Sequence, residues 1–467
     1  MRSWGHFPPE RWCSKKIKLF NHQKEAVEAW WVNGGQGILS MATGTGKTYT
    51  ALGCLERVLG KTSSIVAVIT FPWNHLLLQW EKALGEFNFH WDSLIAVSQE
   101  KDWKKTLRET VIDIELGRKK KIAILISHDS FSSEFFRKQI KEVSTAAPCI
   151  VVADEVHGLG APQRKKGLLD FYSYRLGLSA TPERYFDDKG TRYLLDYFGG
   201  VVFEFPLKKA INTINPITNE TYLTPYDYFL RFVPLEENEV EEYLKLTSQI
   251  VRHINRAQKD YEVKERLEQL LFRRAKIIKG AKNKLKVLEE IVTEIGLKNL
   301  EHTLVYCDEE LLNNVISFFN EKGVISHRFT MEEGIIPQKR FGGLSERDFY
   351  LEKFGKGIYQ VLVAIKCLDE GVDVPPARRA ILMASSGNPR EFIQRIGRIL
   401  RRYPGKNRAQ VYDMVAYVPR ELLSDDMSKI EKSVLEREFK RCEEIAACAE
   451  NWLEVTNELF SKRREML

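Results

Sequence analysis

Long apolar runs are missing from this chain. No stretch reaches the roughly 18 apolar residues that a membrane-spanning helix needs, so no transmembrane segment is expected. The N-terminus, Met1-Arg2-Ser3-Trp4-Gly5-His6, lacks the charged and apolar regions of a signal peptide. Cysteine is scarce: seven occur in 467 residues, scattered and never at C-x-x-C spacing. That pattern suggests neither a zinc site nor a disulfide framework, and the expected setting is reduced, intracellular and cytoplasmic. Excess charge of one sign is also slight. A net charge of +7 permits a nucleic-acid partner without arguing strongly for one. What remains is 43% hydrophobic content over a length that suits two or three domains with real cores.

The informative stretch is Met41-Ala42-Thr43-Gly44-Thr45-Gly46-Lys47-Thr48. It comes after the short apolar run Gly37-Ile38-Leu39-Ser40 and opens a helix-compatible run to Leu59. Strand, glycine-containing loop and helix start together make a phosphate cradle, because backbone N–H groups and the helix dipole both favour an anion there. Lys47 is placed to reach the β- and γ-phosphates of ATP, and the Thr48 hydroxyl to hold Mg²⁺. The match to G-x-x-x-x-G-K-[ST] is incomplete, since Met41 stands at the first glycine.

In chain order, Leu19–Trp31 reads as helix, and Ser64–Phe71, Ile122–Ser127, Pro148–Ala153 and Arg175–Ser179 as buried strands. Strands alternating with helical patterns imply βαβ units and a parallel sheet. A loop comes next, then a strand at Tyr228–Leu235 and charged helical sequence from Glu236 onward. A second alternating series has strands at Thr303–Cys307, Val361–Ala364 and Arg379–Met383 and a helix at Glu309–Lys322. The last stretch is helical and charged. The expected division is an N-terminal extension (1–18), a first α/β domain (19–206), a linker with a helical insertion (207–282), a second α/β domain (283–418) and a helical tail (419–467).

Chemistry in such sheets sits at strand ends. Cys149–Ala153 runs into Asp154-Glu155-Val156-His157. Asp154 can hold Mg²⁺ through its water shell, while Glu155 orients the attacking water and accepts its proton. Taken alone, such a pair is more often a turn or a helix cap. The second domain carries Gln394-Arg395-Ile396-Gly397-Arg398-Ile399-Leu400-Arg401, in which Arg398 and Arg401 share a helical face. In isolation a basic surface helix explains it equally well.

Together these stretches resemble the superfamily 2 helicases, in order and spacing. The resemblance covers a glutamine on the adenine side (Gln23), motif I (Ala42 to Thr48), motif Ia (Phe71 to Trp80), and a DEAH-like motif II (Asp154 to His157). It continues with motif III (Ser179-Ala180-Thr181), motif IV (Leu304 to Cys307), motif V (Ala364 to Pro375) and motif VI (Gln394 to Arg401). The family form of motif I, A-x-x-G-x-G-K-T, also accounts for Met41. Arg175 to Arg184, Asp369 to Pro375 and Ser386 to Arg395 are most similar to the XPB-type branch, which includes restriction-type motors. The Arg-Glu-Asp loop of XPB-type proteins is absent as such, and Glu183 to Asp188 occupies its place.

The resemblance implies two RecA-like parallel-sheet domains with a thumb-like helical insertion between them and an ATP site at their cleft. The implied catalytic residues are Lys47, Asp154, Glu155, Gln394, Arg398 and Arg401. Gln23, Ala42 to Thr48, Gly371 and Asp373 would bind nucleotide, and Thr48 and Asp154 would hold Mg²⁺. Basic residues of the insertion (Arg252, Arg256, Lys259, Lys264, Arg273, Arg274, Lys276) would track phosphates, unless they form a solvated face paired with its glutamates. The expected activity is ATP-driven movement along nucleic acid, DNA before RNA. Two further readings stay open: a motor subunit of a restriction or anti-phage complex whose nuclease is another chain, and an ATP-gated clamp that does not travel. No nuclease or methyltransferase signature is visible in the chain itself.

Overall fold

The computed structural model describes residues 18–74, 76–87, 89–97, 102–184, 187–254, 261–330, 333–334, 338–365, 374–384, 392 and 396–466. Contacts divide the chain into two compact units, with the boundary between Tyr222 and Leu223.

The first unit is built on seven strands: β1 (Gln36–Met41), β2 (Ile65–Phe71), β3 (Ser93–Ala96), β4 (Lys121–Ser127), β5 (Cys149–Asp154), β6 (Tyr174–Ser179) and β7 (Val201–Phe205). They form one parallel sheet in the order β3-β4-β2-β5-β6-β1-β7. β2 and β5 are buried along their whole length. Their near-continuous Val, Ile and Ala content is what a strand covered on both faces requires. Val66, Val68, Ile124 and Val151 meet Phe131, Phe136 and Ile140 in a core of this unit.

Register positions the chemistry. Ser40 of β1 lies beside Ser179 of β6, and Leu178 of β6 beside Asp154 of β5. Three strands therefore end almost level, and the loops leaving them emerge at one edge of the sheet. After β1 comes the loop 42–46 and helix α1 (Lys47–Leu59), which buries Ala51, Leu52, Leu55 and Val58. A short antiparallel hairpin, β8 (Ile214–Asn215) with β9 (Glu220–Thr221), closes the unit.

The second unit has a six-stranded parallel sheet. Its strands are β10 (Tyr226–Pro234), β11 (Thr303–Tyr306), β12 (Ser326–Phe329), β13 (Val361–Ala364), β14 (Arg379–Leu382) and β15 (Ala409–Tyr417), in the order β10-β15-β14-β11-β13-β12. β10 pairs with β15 without a break from Tyr226↔Ala409 to Pro234↔Tyr417. The strand expected within the linker region is therefore part of this second sheet.

The helical insertion is a pair, Glu237–Ile254 and Tyr261–Gly280, packed through Leu246, Ile250 and Leu270. Among its basic residues, Arg273 meets Glu242 (3.7 Å) and Lys276 meets Glu310 (2.5 Å). Arg256 and Lys259 lie outside the described residues. Two helices come after β15, Asp425–Ala446 and Trp452–Met466. The first is anchored by Arg441, which is buried and pairs with buried Asp413 of β15 at 2.7 Å, while the Tyr228 hydroxyl donates to the same carboxylate at 2.7 Å. Among the described residues no helix is long and apolar enough to cross a membrane.

Candidate active site

Level strand ends bring motif residues of the first unit together. The loop after β1 turns through Gly44 (φ 88°) and Gly46 (φ 87°), a left-handed backbone that glycine adopts without strain. It is drawn tight by Thr45, whose amide and hydroxyl both donate to the Ala42 carbonyl (3.3 and 2.7 Å). A β-carbon on Gly46 would lie 2.3 Å from Nε2 of Gln23, so a side chain there would push that amide aside. Gln23 itself spans the loop: its amide donates to the carbonyls of Thr45 and Gly46 (3.3 Å each), and its oxygen accepts from the Phe20 N–H (2.8 Å). His22, stacked on Phe205, donates from Nε2 to the Thr45 carbonyl at 2.9 Å. Burial holds its ring below the usual imidazole range.

Glu155 is the pivot of the carboxylate pair. It adopts φ 46°, a left-handed conformation that costs a non-glycine residue about 1 kcal/mol or more. Its environment imposes that shape. The Glu155 N–H donates to Oδ1 of Asp154 (3.1 Å), the Glu155 carbonyl accepts from Gly158 (2.9 Å), and Nε2 of His128 donates to the Asp154 carbonyl (3.1 Å). Burial, with Arg164 nearby, lowers the His128 ring to about 3, so it stays neutral and keeps one nitrogen to donate. Turned this way, Oε1 of Glu155 lies 3.4 Å from Nζ of Lys47, and Oε2 lies 3.6 Å from Nδ1 of His157.

Asp154 is buried, and its Oδ2 accepts from the Trp80 indole at 3.0 Å. Burial, reinforced by the Glu155 carboxylate, pushes its carboxyl up to about 6, against the pull of Lys47 and Trp80. The same nitrogen of His157 lies 3.2 Å from the Ser179 hydroxyl. That hydroxyl donates to the Thr181 carbonyl (2.9 Å) and accepts the Thr181 N–H (3.2 Å). Motifs I, II and III thus form one polar chain: Lys47, Glu155, His157, Ser179, Thr181.

The residues present fit a phosphate and a divalent cation. The helix behind the loop begins at Lys47, and its N-cap, Gly46, has no side chain to occupy the leading N–H groups. The Thr43 hydroxyl is buried and has no hydrogen-bond partner among the described residues. A hydroxyl of Thr48 and one buried carboxylate suit Mg²⁺, which keeps most of its waters and takes few protein ligands.

In the second unit, residues 396–399 are helical and bury Ile396 and Ile399, leaving Arg398 and Arg401 half-buried. Gln394, Gly371 and Asp373 lie outside the described residues.

Trp80, His128 and His22 were invisible as site residues in the sequence. Trp80 belongs to the motif Ia stretch and reads as the apolar face of the helix Leu76–Glu86. Nothing local says that its N–H reaches a carboxylate 74 positions away.

Two family models match the chain: the res subunit of type III restriction enzymes over residues 16–184, and the helicase conserved C-terminal domain over residues 283–403. Among similar proteins, the DNA 3'-5' translocase XPB2 of Sulfurisphaera tokodaii is 29% identical over 83% of this chain and 79% of its own length. Putative helicase 22 of the Sulfolobus islandicus filamentous virus is 24% identical over 86% of this chain and 65% of its own. Among solved structures, the ATP-dependent Type ISP restriction-modification enzyme LlaBIII bound to DNA shares the fold with a TM-score of 0.57 at 16% identity, covering 90% of this chain and 29% of that one. The first match spans motifs I to III and the second motifs IV to VI, and with the similar translocase they support a superfamily 2 helicase, an ATPase, of the XPB-like and restriction-type branch.

Proposed function

We propose that this chain is an ATP-driven DNA translocase whose turnover is run by the polar chain from Lys47 to Thr181. The carrying observation is the 3.4 Å contact between Lys47 and Glu155 at the level ends of β1 and β5. A lysine and a carboxylate that hold each other can both be redirected by a bound nucleotide. The phosphates attract Lys47, and Glu155 is released to orient a water and take its proton. Thr48 and Asp154 would hold Mg²⁺, which supplies charge neutralisation on the phosphates. His157 and Ser179 link that event to motif III. Arg398 and Arg401 are assigned to stabilising charge on the transferring phosphoryl group.

DNA is the proposed track, supported by the names of the similar proteins. A motor subunit of a restriction or anti-phage complex is the second reading, favoured by the match to the res subunit model. The test is ATP hydrolysis measured in parallel with single-stranded DNA, duplex DNA and RNA, for wild type and Lys47→Ala. Stimulation by DNA with at least about a hundred-fold loss in Lys47→Ala is expected. Wild-type turnover in that variant would reduce the loop to a structural turn. A translocation assay then separates a motor from a clamp.

A further inference from the structure

Lys406 lies beyond the match to the helicase C-terminal domain, which ends at residue 403. It is 2% exposed, and its ammonium faces backbone oxygens: Nζ donates to the carbonyls of Arg401 (3.1 Å), Pro375 (3.2 Å) and Ile399. A turn puts it there. Tyr403-Pro404-Gly405-Lys406 closes with the Lys406 N–H on the Tyr403 carbonyl (3.0 Å), with proline second and a left-handed glycine third (φ 71°). That is the residue order of a type II turn, and it folds the chain back over the segment just completed. Thr224 adds two contacts to the same segment, from its N–H to the Leu400 carbonyl (2.7 Å) and from its hydroxyl to the Arg401 carbonyl (3.3 Å).

We infer that Lys406 is a positioning residue for turnover, whose ammonium ties the end of motif V, at Pro375, to the end of motif VI, at Ile399 and Arg401, and so fixes how the motif VI arginines are presented. The inference rests on the proposed role of those arginines. Its chemistry is a matter of valence. An ammonium has three N–H donors and meets three acceptors here, whereas a neutral amine has two donors and turns a lone pair toward a carbonyl. Losing the proton therefore breaks one tie. The charged groups that act on Lys406 are Arg378, just before β14, and Arg402, in its own loop; both are cations. Burial and these two neighbours lower its pKa to about 7, so the tie loosens in the neutral to alkaline range.

The experiment measures DNA-stimulated ATP turnover at saturating DNA and ATP, from about pH 6.5 to about pH 9. It uses the full chain as wild type, Lys406→Met, Lys406→Arg and Thr224→Val, with KM for ATP and melting temperature at each pH. At low pH, Lys406→Met should lower kcat about tenfold and leave KM within about twofold, the signature of misplaced groups. The gap to wild type should then close as pH rises. Lys406→Arg, which cannot lose its proton, should hold its kcat to the alkaline end. Thr224→Val should lower kcat by a factor that does not change with pH. A ratio of Lys406→Met to wild type that is constant across pH, or a loss that follows melting temperature alone, overturns the inference. Absence of DNA-stimulated turnover in the wild type would instead remove the functional reading beneath it.

Discussion

In the first unit, Lys47 faces a carboxylate across the site, at 3.4 Å from Glu155. In the second, Lys284 and Lys406 are buried against main-chain carbonyls. Lys284 donates to the oxygens of Ile278 (2.6 Å) and Lys279 (3.1 Å) at the end of the helix Tyr261–Gly280. Lys406 does the same for motif VI. The second unit also has a buried side-chain pair, Asp413 with Arg441, but that pair joins a helix to a strand. The distinction concerns what can compete for the lysine. A carboxylate partner can be displaced by a more highly charged phosphate, so the Lys47 contact is exchangeable. A carbonyl partner offers no charge to exchange, so those lysines hold backbone shape and respond to protons instead. On the proposed function, substrate rewrites the first arrangement, while the second keeps its geometry through turnover.

Three measurements test that contrast. The greatest loss is expected from Glu155→Gln, which keeps the size of the side chain and removes the proton acceptor. Turnover should fall by about 10²–10⁴, while a fluorescent ATP analogue still binds. Loss of nucleotide binding would make Glu155 a strut for the loop and erase its exchangeable role.

Next is Arg398→Ala. It should lower turnover at saturating DNA and ATP by at least about a hundred-fold, allowing for partial cover by Arg401. If only the DNA concentration needed for half-stimulation rises, with a smaller salt slope, Arg398 contacts DNA phosphates and the second unit is a track-binding surface.

The mildest change concerns stability. Burial lowers the Lys284 pKa to about 7, against 10.5 for an unperturbed lysine. Between those values the unfolded chain binds a proton that the folded chain does not, so stability rises with pH across that window. Denaturant melts should show the rise from about pH 7 to about pH 9 reduced by about 1–2 kcal/mol in Lys284→Met. An unchanged slope would mean that the lysine keeps its proton in the folded chain as well as in the unfolded one.

Legibility in the sequence went with locality. β1, β2, β5 and β13 could be read within a residue or two of their ends, because each is a short apolar run next to a motif or a turn. The short strand β3 (Ser93–Ala96) and the edge strand β7 (Val201–Phe205), broken by Glu204, hold apolar runs of only three residues, with no motif beside them. β15 is hidden for another reason. Asp413 interrupts its apolar pattern, and the partner that makes that charge tolerable, Arg441, lies 28 residues on. The site divides in the same way. Lys47, Thr48, Asp154 and Glu155 stand in contiguous motifs with a characteristic spacing. The groups that orient them, Trp80 and His128, reach across from neighbouring strands and helices, and parallel sheets leave no local trace of which strand lies next to which.

The backbone at Glu155 has a consequence for anyone ranking variants of this protein. Its left-handed conformation is one that glycine adopts freely. Substitution by glycine there would relieve about 1 kcal/mol of conformational cost even as it deletes the proposed proton acceptor. A selection for thermal resistance alone would favour that exchange, and a library filtered by melting temperature would enrich for inert molecules at this codon. Heat tolerance and turnover pull in opposite directions at this position, and only a screen that demands catalysis would keep the glutamate.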